Sequence, residues 1–323
     1  MTESFEAMGR DISVAFEKLG ADYNRSNSAA QRAETAGKTG IVSERAASLS
    51  SLPEYVIKLG PRARVVDASG NTLAQLPDGV GSLTKVHKLN VACNKLTSLP
   101  VSLCSMAALK VLRLESNKLT ELPAGIGSLT RLEELVVADN NLRVVPASVS
   151  KLTRLQRLDF SRNKLESSAT VVEGTGDDVD EDAVMTAADA SGLRHIGGCV
   201  SLVELRLEGN VGVRGLSRAL GKLASLKILM ADNTGLSGVP GDVLRGCGAL
   251  HTLSVRGCPI DIEQLRATPG YEGFETRRQA GRLMHLILFS PTCGPFLFFS
   301  WERFILYSHV YDTYNFYFKY LYL

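Results

Sequence analysis

The chain has 323 residues, is 45% hydrophobic and carries a formal net charge of +2. That is ample apolar material for a folded core, and it excludes a collagen-like or a wholly disordered chain. A balance so near neutral gives no whole-molecule argument for nucleic-acid binding, so nucleic acid is not expected among the partners.

The first 40 residues differ in pattern from the rest of the chain. Phe5, Met8, Ile12, Phe16 and Leu19 recur at three- and four-residue spacing, the pattern of one amphipathic helix. Glu3, Glu6, Arg10 and Asp11 interrupt it, so it has no apolar signal-peptide core. Residues 20–40 are rich in Ala, Ser, Asn and Gly and read as a flexible linker. Gly37-Lys38-Thr39 resembles the end of a phosphate-binding loop, but Arg32 stands where that loop needs Gly. Six scattered cysteines with no C-x-x-C pair point to a reduced, cytoplasmic compartment.

From residue 41 a periodic region begins. Its register is clearest at Leu109, Leu112, Leu114, Asn117, Leu119, Leu122, Pro123, Ile126 and Leu129. Asn71, Asn94, Asn117, Asn140 and Asn163 each follow the last by 23 residues. Within a unit the L-x-L core is a short strand, with Leu112 and Leu114 inward and Arg113 and Glu115 outward. The Asn turns the chain out of the strand, and its amide satisfies backbone groups that the turn leaves unpaired. Leu-Pro then opens the return segment, because Pro fixes φ and lacks a donor. One unit cannot bury its own apolar face, so the units stack. Ala47 fills the anchor slot of a degenerate first unit, in which Glu44 occupies an inner position.

After Asn163 the next anchor is Asn210, 47 residues on, with the displaced back half supplied by Ile196, Cys199 and Leu202. An insertion therefore occupies residues 166–192. It carries Glu166, Glu173, Asp177, Asp178, Asp180, Glu181, Asp182 and Asp189 and no Lys or Arg. Such composition is that of a solvated loop, and the alternative is a loop that covers basic positions of the stack. Anchors at Asn210, Thr234 and Cys258 finish the stack, which runs into a polar helical stretch ending near Arg282. Residues 283–323 hold 14 of the 21 aromatics, and Leu283 to Trp301 is free of charged residues. Two readings fit: sequence foreign to the folded protein, or a membrane anchor that would tether the whole.

Catalytic and metal-binding patterns are not found. The five histidines have no ligand spacing, and His195 with Cys199 reads as packing on the back of the stack. No G-x-S-x-G, H-E-x-x-H or G-x-G-x-x-G occurs, so no catalytic residue, metal ligand or cofactor is assigned and no enzyme is expected. What remains is the outward face of the strands. There Arg113, Glu115, Glu134, Arg157, Asp159, Arg162, Arg206 and Glu208 form a candidate partner-binding patch, since Arg is enriched in interface hot spots.

The spacing resembles that of the leucine-rich repeat family. The repeats look like the 23-residue intracellular class found in Ras-group-related scaffold proteins and phosphatase-regulating repeat proteins, and residues 33–40 and 262–277 resemble the segments that flank the repeats in a small intracellular member of the family. The resemblance implies an α/β solenoid of about nine repeats, caps included, in a curved right-handed superhelix with its parallel sheet on the concave side. It also implies a non-catalytic scaffold or regulatory subunit in signalling, with a small GTPase or a phosphatase as the protein partner.

Overall fold

The computed structural model describes residues 28–166 and 192–288, with side chains described through residue 280. The helix expected near residues 5–19, the acidic insertion and the aromatic run beyond 288 lie outside the described residues. The chain divides into two compact units, Met1–Gln279 and Ala280–Leu323, and the repeats belong to the first.

Nine short parallel strands make one open sheet in sequence order: β1 (Ile41–Ser43), β2 (Val65–Asp67), β3 (Lys88–Asn90), β4 (Val111–Arg113), β5 (Glu134–Val136), β6 (Arg157–Asp159), β7 (Glu204–Arg206), β8 (Ile228–Met230) and β9 (Thr252–Ser254). The fold is a leucine-rich-repeat solenoid. Its middle strand residues (Val42, Val66, Leu89, Leu112, Leu135, Leu158, Leu205 and Leu229) are at most 1% exposed. Across the insertion the register is continuous, with Leu158 paired to Leu205. The sheet therefore keeps the register of a stack that has no insertion.

The anchors work as a shared ladder. Asn94 donates to the carbonyls of Ala68 and Val91, and Asn117 donates to those of Val91 and Leu114. Each such carbonyl therefore receives an amide from its own repeat and one from the next. The side-chain oxygen in turn accepts from the repeat before, as Asn117 does from the Leu96 N–H at 3.0 Å. Asn210 maintains this across the insertion, donating to Phe160 and accepting from Leu165. The first unit has Ala47 in the slot, so Asn71 caps both the Ala47 and Leu49 amides. At the far end Thr234 and Cys258 each donate to the Ala231 carbonyl instead.

The residue before each anchor adopts positive φ: Gly70, Cys93, Ser116, Asp139, Arg162, Gly209, Asn233 and Gly257. The turn from strand to anchor requires it, whatever side chain stands there. On the back, Pro77, Pro100 and Pro146 precede short 3-10 helices, as the Leu-Pro steps predict. Those backs touch closely: a Cβ on Gly127 would lie 2.3 Å from the Ser148 carbonyl oxygen.

The linker expected over residues 20–40 is corrected by helix α1 (Ala29–Thr39). Ser28 and Gln31 form a capping box that starts it, and Gly40 in the left-handed region ends it. Its composition hides its role because only Ala36 is buried. Arg32 of α1 pairs at 3.0 Å with Glu44, which is fully buried and also accepts from the Tyr55 hydroxyl. The helix thus closes the open end of the stack by neutralising a buried carboxylate, with Tyr55 supplied from helix α2 (Glu54–Leu59). Helix α3 (Gly241–Gly246) lies in the back segment between β8 and β9. At the other end α4 (Ile262–Ala267) and α5 (Tyr271–Leu288) follow β9. Phe274 buries its ring there, and Arg277 donates to the carbonyls of Leu244 and Leu250. Among the described residues no helix is long and apolar enough to cross a membrane.

Candidate functional site

Because the middle residue of each strand points into the core, the first and third residues form two rows on the concave face. Row one runs Lys88, Val111, Glu134, Arg157, Glu204, Ile228 in register. Row three runs Asn90, Arg113, Val136, Asp159, Arg206, Met230. A further row lies two residues beyond, and Glu115 and Glu208 stand in it.

Four strands, β4 to β7, frame a continuous ion-pair lattice across the middle of this face. Arg113 donates twice to Glu134, at 2.7 and 3.0 Å. The other oxygen of Glu134 lies 4.0 Å from Arg157, whose Nε is 3.2 Å from Glu204. Glu204 also accepts from Arg206 at 2.5 Å, and Arg206 reaches Glu208 at 3.9 Å. The carboxylates sit low and the guanidiniums cover them: side-chain exposure is 6% at Glu204 and 16% at Glu134, against 37% at Arg113, 43% at Arg157 and 37% at Arg206. Planar arginine heads are therefore held at the surface in fixed orientation.

Seven of the eight expected residues are on this surface: the lattice joins Arg113, Glu134, Arg157, Arg206 and Glu208, and Glu115 stands beside it. Asp159 is there too, but one oxygen is engaged locally, accepting from both the amide and the hydroxyl of Ser161. Arg162 lies apart from the sheet, on the turn before Asn163, where it grips Asp139 with two hydrogen bonds. Glu204 is the member that the sequence pattern did not deliver. Its place opposite Arg157 follows from the Asn210 anchor, which aligns Leu205 with Leu158, but nothing in the spacing shows that it joins two arginines.

Two carboxylates are uneasy. One oxygen each of Glu115 and Glu208 is buried with no hydrogen-bond partner. Burial pushes both carboxyls above the usual carboxylate range, while Arg113 and Arg206 respectively pull them back. The middle of the face, β4 to β7, sets three arginines (Arg113, Arg157, Arg206) against five acids (Glu115, Glu134, Asp159, Glu204, Glu208), so it is locally acidic although its outermost groups are cations.

His195 and Cys199 are where packing would put them, on the back of the stack. Cys199 is fully buried, its thiol points to the Val149 carbonyl, and burial pushes it up to about 12. The thiol is inert and protonated. No group of His, Cys, Asp and Glu able to hold a metal occurs among the described residues.

Comparison with known proteins agrees with this architecture. Residues 64–171 match a family model described as a leucine-rich repeat region. No curated protein matches the chain in sequence. Among solved structures, an LRR protein of Leptospira interrogans is similar at 22% identity and a TM-score of 0.55, over 75% of this chain and 61% of that one. The structure of PEPR1-AtPEP1 is similar at 22% identity and 0.53, over 65% of this chain and 27% of that chain. A TDR receptor is similar at 23% identity and 0.51, over 62% and 31%. The chain thus spans less than two thirds of each of them, and at such identities the likeness is one of fold.

Proposed function

We propose that the chain is a non-catalytic protein-interaction scaffold, working in the cytoplasm, that holds a protein partner on its concave face. The observation that carries this is the lattice of Arg113, Glu134, Arg157, Glu204 and Arg206: exposed guanidinium planes, each fixed by a carboxylate beneath it. Arginines already ordered lose less freedom when a partner stacks on them. Solenoids of this kind bind through such extended surfaces. The excess of acids around the lattice favours a partner that presents basic or amide groups. A small GTPase or a phosphatase is the partner class that the family resemblance implies, with the chain serving as scaffold or regulatory subunit.

The test avoids the lattice itself, since removing its arginines would strand buried Glu204. Val136 is half-buried on the same face, between Arg113 and Asp159 in row three. Val136→Arg fills the face without breaking an ion pair, and Val101→Arg makes the same change at a residue 77% exposed on the back. In affinity capture with mass spectrometry, the full chain and the Val101 variant should retain a common protein that the Val136 variant loses. Retention by all three would overturn the concave reading.

A further inference from the structure

One lateral edge of the solenoid, where the back segments turn into the strands, carries a different kind of charge from the concave face. Residues three and one before the strands place Arg62, Arg64, Lys85, Lys110, Arg131 and Arg154 along it, with Glu133 as the one carboxylate at these positions between β2 and β6. Lys110 is paired with Glu133 at 2.7 Å. Arg62, Arg64, Lys85, Arg131 and Arg154 are exposed and make no ion pair among the described residues. The contrast with Arg113, Arg157 and Arg206, each paired with an acid, is sharp. With strands about 4.8 Å apart, Arg62 to Arg154 spans about 20 Å along the edge.

We propose that this edge docks onto an anionic lipid surface, independently of the concave site. The chemistry separates the possible polyanions. Single-stranded nucleic acid wants aromatic platforms between the cations, and between Tyr55 and Phe160 the sequence has no aromatic residue. A protein partner wants a desolvated apolar or aromatic centre, whereas exposed Thr84, Ala107, Thr130 and Thr153 lie among these cations. An acidic bilayer needs neither, because spread cations attract it through its surface potential alone. The opposite edge is of mixed charge: Lys95, Lys118, Arg143 and Lys164 share it with Glu121 and Glu166, and the acidic insertion leaves the stack there. Cations without an ion pair among the described residues stand on both edges, but on the first only Glu133 accompanies them, whereas on the second Glu121, Glu166 and the acids of the insertion offset them, so the positive charge of the molecule is polarised toward the first edge.

The experiment is sedimentation of the full chain with phosphatidylcholine vesicles, with and without phosphatidylserine, at low and high salt. The wild type should bind only the serine-containing vesicles, and salt should release it. Arg62→Glu, Lys85→Glu and Arg154→Glu together should lower that binding at least about tenfold, each Lys or Arg near such a surface contributing about a factor of five. Lys95→Glu, Lys118→Glu and Lys164→Glu, the same charge change on the other edge, should leave most of it. Equal loss in both triples would make net charge the cause and overturn the proposal. Binding to pure phosphatidylcholine, or binding that salt does not touch, would overturn it as well, since another segment would then be holding the lipid. So would binding of poly(U) or duplex DNA that the first triple abolishes, if serine-containing vesicles are not bound.

Discussion

Asn117→Ala tests the anchor ladder where its energetics can be counted. The Asn117 amide donates to Val91 at 3.0 Å and to Leu114 at 2.9 Å, and its oxygen accepts from Leu96. Truncation does not orphan the two carbonyls, because Asn94 still serves Val91 and Asn140 still serves Leu114. It does orphan the buried Leu96 N–H. Two hydrogen bonds lost at about 1 kcal/mol each, plus about 1–3 kcal/mol for the unpaired donor, give about 3–5 kcal/mol of lost stability. Asn141→Ala, one residue after the Asn140 anchor and half-buried outside the ladder, should cost well under 1 kcal/mol. Urea unfolding of both variants measures the difference. Hydrogen exchange then locates it, because the Leu96 amide should lose its protection before amides several repeats away. A cost for Asn117→Ala below about 1 kcal/mol, or equal to that of Asn141→Ala, would refute the shared-ladder argument.

Three other outcomes rest on local geometry. Arg32→Ala should destabilise by about 2–4 kcal/mol by stranding buried Glu44, and Glu44→Leu in the same chain should recover most of that loss in a urea midpoint comparison. Gly70→Ala has room, since its Cβ would meet Ala46 at no less than 3.7 Å, yet φ of +67° should still cost about 1 kcal/mol in thermal unfolding. Burial raises the Glu115 and Glu208 carboxyls, so folding favours their protonated forms: that contribution is present in acid and is lost as pH rises from the ordinary carboxylate range through the higher folded values. Glu115→Gln with Glu208→Gln should therefore be more stable than the wild type at pH 7 and lose that advantage below about pH 4, read by denaturant midpoints across pH.

Much of the fold was legible because each repeat solves the same physical problem with the same residues. Asn71 to Asn163 mark it at a constant interval, and Leu112 with Leu114 show which way the strand faces. The offset of 47 residues to Asn210 was enough to place an insertion, since the register must close again for the core to close. What escaped depended on partners distant in sequence. Helix α1 has one buried residue and no apolar stripe, and its place is set by Arg32 meeting Glu44 across a turn. Glu44 itself stood out as an acid in a core slot, but nothing near it named its cation. At the site, alternation placed Arg113, Glu134, Arg157 and Arg206 correctly on the concave face. It did not show that their charges are spent on one another, nor that Glu204 joins two of them. The same alternation puts Asp159 on the face, where it ties Ser161, while Arg162, read as outward with the strand, holds Asp139 beyond it.

The most direct test of the concave reading is carbodiimide footprinting of carboxylates on the full chain, alone and with the captured partner. Glu134, Asp159 and Glu208 should be labelled more slowly in the complex, while Glu121 on the lateral edge and Asp78 at the start of a back helix keep their rates. Unchanged rates on the concave face, with protection at Glu121 or Asp78, would contradict the account and move the binding site off the sheet.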